Sequence, residues 1–174
     1  MTIDRFIEIT PKIKELIIDS NVSQLKMAPP FRKDLLELTR NNYKNSKNAG
    51  VTILFHPYNN RVSFTLILRN EYDGVHSNQI SLPGGSFEKN DKSIFDTALR
   101  ESNEEMSLNG EDVTMLGKLN YLISRHKIEV NPFIATVDKP QDLEANEEIQ
   151  EIFTVPLSFL LDPKNIKRES IERQ

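Results

Sequence analysis

Apolar and polar positions divide the chain into a helical first part, a strand-rich middle with one amphipathic helix, and a short final helical piece. Apolar residues recur at roughly helical spacing over residues 4–19, which predicts a helix with Pro11 either in its first turn or at a break. Residues 27–30 indicate a loop, and residues 31–40 predict a second short helix. We therefore expect residues 1–45 to form a helical N-terminal extension that packs on the rest of the chain.

After a polar, turn-like segment at residues 41–50, the pattern changes to strands. Residues 51–55 are apolar and β-branched, and residues 62–68 alternate, so the two segments predict a hairpin closed by a turn at residues 58–61. The other expected strands cover residues 79–82, 113–124 and 128–137. Pro83-Gly84-Gly85 is expected to end the first of these sharply.

One amphipathic helix is predicted between these strands, over residues 93–106. Ser93 fits the N-cap position, with Asp96 three residues further on as in a capping box. The buried face of the helix is expected to consist of the apolar residues Ile94, Phe95, Ala98, Leu99 and Met106. The order of helices, strands, one central helix, strands and a final helical piece indicates an α+β fold, with one domain over residues 46–174.

Composition narrows the class of protein. The 174 residues are 37% hydrophobic and 28% charged, which suits one globular core, and no apolar run approaches the roughly 20 residues that a membrane helix needs. The chain has no cysteine and its N-terminus lacks a secretory apolar segment, so a cytoplasmic protein is the simplest expectation. A net charge of −4 argues against a nucleic-acid partner, and an acidic protein needs cations or local basic residues to hold a phosphate compound.

Three glutamates of the central helix suggest such a cation site. Glu101, Glu104 and Glu105 stand at i, i+3 and i+4, which places them on one helical face, where like charges cost about 0.2–0.5 kcal/mol per pair. A divalent cation would reverse the sign, since Mg²⁺ binds carboxylate oxygens together with substrate phosphates. Arg100 can offset part of the repulsion by pairing with Asp96 or Glu104. Taken alone, however, such a run is more often a solvated acidic face.

The glutamates are part of a longer pattern that resembles the Nudix box. That signature combines a glycine, a downstream acid and Arg-Glu-x-x-Glu-Glu, matched here by Gly85, by Asp91 in a loop one residue longer than usual, and by residues 100–105. The family has glycine where this chain has Ser107. Because serine adopts the left-handed conformation at a helix end less readily than glycine, we expect Asn109-Gly110 to close the helix instead.

The wider sequence resembles the coenzyme A pyrophosphatase branch of the Nudix hydrolases over residues 26–163. The shared segments include Arg69, Val75-His76-Ser77, Gln79-Ile80-Ser81, Pro83-Gly84-Gly85, Ser124-Arg125-His126, Val130-x-Pro132-Phe133 and Val155-Pro156-Leu157. Two positions depart from the branch, which usually has Arg in place of Gly74 and Gly in place of Asn78. Proteins of this branch usually continue with another strand and helix, so either the chain is truncated or its sheet closes differently.

The resemblance implies a Nudix-type α/β/α sandwich with a mixed sheet and a central catalytic helix. It also implies a hydrolase that uses Mg²⁺ or Mn²⁺ to let water attack a nucleoside diphosphate linked to another moiety. Coenzyme A or a derivative is the first expected substrate, giving 3′,5′-ADP and 4′-phosphopantetheine. The alternatives are an ADP-ribose or dinucleotide pyrophosphatase and a non-catalytic nucleotide-binding Nudix module. Many related enzymes pair as dimers, so a homodimer stays open, and no nucleic-acid or membrane partner is expected.

Carried over residue by residue, the resemblance assigns roles around the helix. The implied metal ligands are Glu101, Glu104, Glu105 and the carbonyl of Gly85. The implied catalytic residues are Glu101, Glu104 and Arg100, and Arg100 either orients the carboxylates or only stabilises the helix. The proton of the attacking water would go either to Glu101 or to a loop glutamate, for which Glu129, Glu147 and Glu148 are candidates. The residues expected to bind substrate are Arg69, His76, Gln79 and Glu148.

Overall fold

The computed structural model describes residues 1–15, 47–73, 77–124 and 126–167. The second helix predicted at residues 31–40, and with it most of the predicted extension, lies outside the described residues, as does His76. Helix α1 covers Ile3–Glu15 and contains Pro11, so the expected first-turn position or break is wrong. The carbonyl that loses its helical donor to the proline belongs to Ile7, which is exposed, so water can replace the missing hydrogen bond.

The described residues from 47 onward form one mixed sheet with helices on it. The strands are β1 (Lys47–Tyr58), β2 (Arg61–Arg69), β3 (Ile80–Ser81), β4 (Gly84–Ser86), β5 (Thr114–Lys118), β6 (Leu122–Ile123), β7 (Ile128–Thr136) and β8 (Ile149–Pro156), and the further helices are α2 (Ile94–Met106) and α3 (Leu157–Leu161). The strand order is β3-β2-β1-β7-β5, with β4 paired to β1, β6 to β7 and β8 to β2. The pair β1–β7 is parallel and the other pairs are antiparallel, which confirms the α+β class and the mixed sheet.

One local expectation is confirmed and three others change. The predicted hairpin is confirmed, and its turn residues Asn59 and Asn60 both have positive φ, as the favoured two-residue hairpin turns require. The strand expected over residues 113–124 is two strands, β5 and β6. The first strand begins at Lys47, inside the segment expected to be a turn. Pro83-Gly84-Gly85 does not simply end a strand, because its two glycines belong to β4 and pair with β1.

The helices lie on opposite faces of the sheet. Successive side chains of a strand point to opposite faces: Leu54 packs in one core cluster with Met106 of α2, whereas Phe55 packs against Phe6 of α1 in the other. Gly50 allows α2 to lie directly on β1, since a Cβ there would be 2.3 Å from the carbonyl oxygen of Ile94. The result is the expected α/β/α sandwich. Within the part of the chain that the structure covers, no helix is long and apolar enough to cross a membrane.

The ends of α2 follow local rules, but its buried face does not follow the apolar pattern. Ser93 caps the N-terminus by accepting the N–H of Asp96 at 3.1 Å. At the other end Ser107 takes the left-handed conformation with φ 57°, so the expected closure at Asn109-Gly110 is wrong. The buried residues of α2 are Thr97, Ala98, Ser102, Glu105 and Met106, while the expected Ile94, Phe95 and Leu99 are only partly buried. The burial of Glu105 follows from the way α2 docks on β4.

Candidate active site

Two glycines of β4 let the backbone of the sheet approach α2. Gly84 has a φ of +142°, and a Cβ on it would be 2.3 Å from the carbonyl oxygen of Gly50. A Cβ on Gly85 would be 2.4 Å from the carboxyl carbon of Glu101. A side chain is therefore excluded at Gly84, whereas one at Gly85 would force the carboxylate of Glu101 away from the backbone that it now lies against.

Glu105 is a buried carboxylate with both oxygens engaged. Its side chain is 3% exposed. One oxygen accepts the backbone N–H of Gly84 at 2.8 Å, and the other accepts Nη2 of Arg69, which also donates to the carbonyl of Gly84 at 3.2 Å. Burial nevertheless raises the pKa of Glu105 to about 7, because desolvation of the charged form outweighs the opposing effects of Arg69 and the Gly84 N–H. A positive charge beside Glu105 therefore strongly favours its ionised form.

Arg100 organises the second carboxylate group. Its guanidinium donates to Asp91 at 3.0 Å through Nε, to Glu101 at 3.0 Å through Nη2 and to Glu104 at 3.1 Å through Nη1. It also reaches the carbonyl of Ser86 at 3.0 Å, which ties the helix to β4. The hydrogen bond from Arg100 is the main reason why the pKa of Asp91 falls to about 2. Burial raises the pKa of Glu101, against the opposing charge of Arg100.

The longer loop of the box supplies Asp91, which binds Arg100 and is a further residue that organises the site. Besides its two bonds to Arg100, its carboxylate accepts the hydroxyl of Thr97 and the N–H of Glu88, both at 2.9 Å. These bonds fix the loop to α2 through Arg100, which also holds Glu101 and Glu104. The available signal was its position as the downstream acid of the box.

The three glutamates do not share one environment. Their side chains are 19%, 54% and 3% exposed for Glu101, Glu104 and Glu105, and two arginines lie between them, in place of the single face of mutual repulsion that their spacing suggests. Among the described residues, no three His, Cys, Asp or Glu side chains stand together as a group that could hold a metal ion. The donor set of carboxylates and a peptide carbonyl suits a hard divalent cation. One oxygen each of Glu101, Glu104 and Glu105 already accepts an arginine, so a cation bound by all three glutamates would compete with these contacts.

A cleft opens beside Glu105. Its volume is about 880 Å³, within the range of small-molecule sites. The lining residues come from the end of β2 and from the start of β8 with the loop before it, and they are Arg69, Asn70, Glu71, Tyr72, Glu147, Glu148 and Gln150. The pairing of β2 with β8 is irregular here, since Leu68 faces Glu151 while Arg69 faces Ile149. Asn70 joins the two walls, because its N–H donates to the carbonyl of Glu148 at 2.9 Å.

The comparison with protein families decides the identity of this arrangement. Residues 47–173 match the NUDIX domain, and the match includes the glycines of β4, all of α2 and both walls of the cleft. The chain belongs to the Nudix hydrolase family. Nudix hydrolases generally use divalent metal ions.

Related proteins and structures agree with the Nudix assignment. The chain is 36% identical over 109 residues to an uncharacterized Nudix hydrolase NudL of Pectobacterium atrosepticum, covering 62% of this chain and 55% of that protein. It is 31% identical over 140 residues to a Yersinia pestis protein of the same description, covering 79% of this chain and 70% of that one. The chain thus spans between about half and 70% of the length of these curated relatives.

Solved Nudix structures show the same fold. A Caenorhabditis elegans Ap4A hydrolase, solved as a binary complex, superposes with a TM-score of 0.54 at 18% identity, covering 66% of this chain and 83% of that one. The NUDIX domain of Shewanella oneidensis NrtR, solved with ADP ribose, gives a TM-score of 0.53 at 16% identity, covering 81% and 86%. At these identities the likeness establishes the Nudix fold alone.

Two of the four residues predicted to bind substrate line the cleft of the Nudix domain. Arg69 and Glu148 both line the cleft. Gln79 lies beside them, where its carbonyl accepts the N–H of Arg69 at 3.1 Å, although its side chain does not line the cleft. Of the candidate loop bases, Glu147 also lines the cleft, whereas Glu129 lies in β7 and accepts a hydrogen bond from Asn131 at 3.4 Å.

Proposed function

We propose that this Nudix hydrolase is a metal-dependent pyrophosphohydrolase that cuts a nucleoside diphosphate linked to another moiety. Coenzyme A or a derivative is the proposed substrate, and the products are 3′,5′-ADP and 4′-phosphopantetheine. The observation that carries the proposal is the position of Arg69, which contacts the buried carboxylate of Glu105 and also lines the cleft. Arg69 thus connects Glu105 of the box to a space large enough for a nucleotide.

In this proposal the oxygens of Glu101, Glu104, Glu105 and the carbonyl of Gly85 hold Mg²⁺ or Mn²⁺. The bound ion supplies positive charge that offsets the diphosphate and the charge developing during its hydrolysis. Arg100 keeps Glu101 and Glu104 in place, since it bonds to both of them. It is therefore a residue that positions the carboxylates and does not react itself.

Two groups of carboxylates can accept the proton of the attacking water. Glu101 is half-buried and its pKa is raised, which moves it toward the range useful for a general base near neutral pH. Glu147 and Glu148 line the cleft from the opposite side and are exposed. Single substitutions of these residues, each measured over a range of pH, separate the two assignments, because loss of the base removes the acidic limb of the rate profile.

The choice of coenzyme A is supported by the motifs of that branch and by their places in the fold. Gln79-Ile80-Ser81 leads into β3 beside β2, and Pro83-Gly84-Gly85 leads into β4 under α2, so both border the site. The departure at Asn78 keeps the geometry of a glycine, because Asn78 has a φ of 54° and asparagine tolerates the left-handed region. The other departure, Gly74, lies outside the described residues.

The test is hydrolysis of coenzyme A, ADP-ribose and a dinucleotide with Mg²⁺ or Mn²⁺, with the products separated by chromatography. Wild type is compared with Glu105→Gln and with the control Glu111→Gln, an exposed glutamate after α2. Cleavage of coenzyme A into two phosphorylated halves by wild type and the control, but not by Glu105→Gln, supports the proposal. If another diphosphate is cut faster than coenzyme A, that compound becomes the proposed substrate. If the protein binds nucleotide but hydrolyses none of these compounds, the proposed function becomes that of a nucleotide-binding module. The cytoplasmic location and the homodimer stay predictions.

A further inference from the structure

Both carboxylate oxygens of Glu105 already have a hydrogen-bond donor, and one of the two donors is Arg69. One oxygen accepts the Gly84 N–H and the other accepts the guanidinium of Arg69. The side chains are 3% exposed for Glu105 and 19% exposed for Arg69, so water does little to stabilise either charge. A cation that takes Glu105 as a ligand would lie close to the guanidinium that contacts the same carboxylate, and the two positive charges repel each other.

We propose that Arg69 is an internal counter-ion that competes with the divalent cation for Glu105 and, once displaced by it, binds the diphosphate of the substrate in the cleft. This inference rests on the proposed function, because it assumes that Glu105 is a metal ligand. Arg69 keeps the buried carboxylate paired when no cation is present, which matters because a buried charge without a partner is strongly destabilising. Cation and substrate then bind in a coupled way, since the first frees the group that holds the second.

Arg100 is a poorer candidate for this exchange. It contacts Asp91 through two atoms and Glu101 and Glu104 through one hydrogen bond each, so it remains paired if one glutamate turns to a cation. Arg69, by contrast, forms an ion pair with no described carboxylate other than Glu105. Loss of one contact therefore removes the ion pair that Arg69 forms, whereas Arg100 keeps Asp91 and one glutamate.

The surroundings of Arg69 give the displaced guanidinium a place to go. Arg69 lies at the irregular pairing of β2 with β8 and lines the cleft, whose other charged residues are Glu71, Glu147 and Glu148. These carboxylates are exposed and favour a positive charge in the cleft. A phosphate entering there would meet repulsion from all three, and a released guanidinium is the described lining group that can hold it by paired hydrogen bonds.

The experiment measures binding of Mg²⁺ alone, by titration calorimetry at about pH 9, where protons compete least with the cation for carboxylates. Wild type is compared with Arg69→Met, Arg69→Lys and the control Arg61→Met, an exposed arginine at the hairpin turn. We expect Arg69→Met to bind Mg²⁺ about tenfold more tightly or better, because it lacks one charge-assisted competitor. Arg69→Lys should fall between, since an ammonium lacks the planar fork of arginine. Arg61→Met should match wild type.

A second titration uses ADP at saturating Mg²⁺, where Arg69→Met should bind about tenfold more weakly than wild type. The inference is overturned if Arg69→Met binds Mg²⁺ no more tightly than wild type. If Arg69→Met does not fold, as judged by circular dichroism, Arg69→Lys decides by the same comparison. Failure of every variant to bind Mg²⁺ would remove the metal site itself and so the proposed function. Binding with unchanged affinity in the variants would remove only the role of Arg69.

Discussion

The close approach of α2 to β1 at Gly50 makes a strong prediction for Gly50→Ala. The new Cβ would stand 2.3 Å from the carbonyl oxygen of Ile94, 3.1 Å from the nitrogen of Ala98 and 3.2 Å from its Cβ. The first distance must open to at least about 3.0 Å, and the obstacle is backbone, so the whole helix has to move away from the strand. Overpacking of this kind costs about 1–3 kcal/mol of unfolding free energy.

The assay is thermal unfolding followed by circular dichroism, together with urea unfolding. For a domain of this size, about 1–3 kcal/mol corresponds to a fall in Tm of about 2–12 °C. Hydrolysis should fall as well, because α2 carries Glu101 and Glu105 and their contacts with β4 would be displaced.

Gly117→Ala is the matched control. Gly117 also lies in a strand, β5, yet a Cβ there would meet nothing within 4 Å. The same chemical change should therefore be neutral or stabilise by up to about 1 kcal/mol through the lower entropy of the unfolded chain. If Gly50→Ala were as stable and active as Gly117→Ala, the close docking of α2 on β1 would be refuted.

Three further predictions concern the site itself. Gly85→Ala should lower kcat/KM at least about tenfold, because a Cβ would stand 2.4 Å from the carboxyl carbon of Glu101; an unchanged rate would contradict the proposed position of Glu101. Asp91→Asn should flatten the acid dependence of Tm: the folded pKa of Asp91 is lowered to about 2, so its stabilisation is present above its unfolded pKa of about 3.9 and is lost as pH falls toward 2, and equal slopes for wild type and variant would disprove this. Mg²⁺ should raise the Tm of wild type, reversibly with a chelator, but not that of Glu105→Gln, and an equal rise in both would exclude Glu105 as a ligand.

Features that depend on neighbouring residues were predictable from the sequence. The hairpin of β1 and β2 follows from alternating apolar residues around Asn59-Asn60, and the N-terminus of α2 follows from Ser93 as its cap. The spacing of Glu101 to Glu105 within the box, together with its glycine, was sufficient to indicate the Nudix family. Each of these signals lies within one short stretch of the sequence.

Features that depend on distant contacts were not predictable. Pro83-Gly84-Gly85 has the composition of a turn, and only its pairing with Val51 and its neighbours makes it a strand. Glu105 has the helical position of a solvated acid, and it is buried because β4 and Arg69 close over it. Ser107 was expected to disfavour the left-handed conformation that it in fact adopts. In each case the tertiary contact outweighs the local preference.

The parallel pairing of β1 with β7 has a consequence for how the protein folds. The pair joins Lys47 to Ile128, so more than seventy residues must close into a loop before the first of its hydrogen bonds forms. Closure of such a loop is slow, because the entropy is lost before the contacts compensate for it. The partners of Glu105, by contrast, come from β2 and β4, which pair with β1 at shorter sequence separations and do not need this closure. We therefore expect a growing chain to enclose Glu105 between α2, β2 and β4 before β7 is added to the sheet.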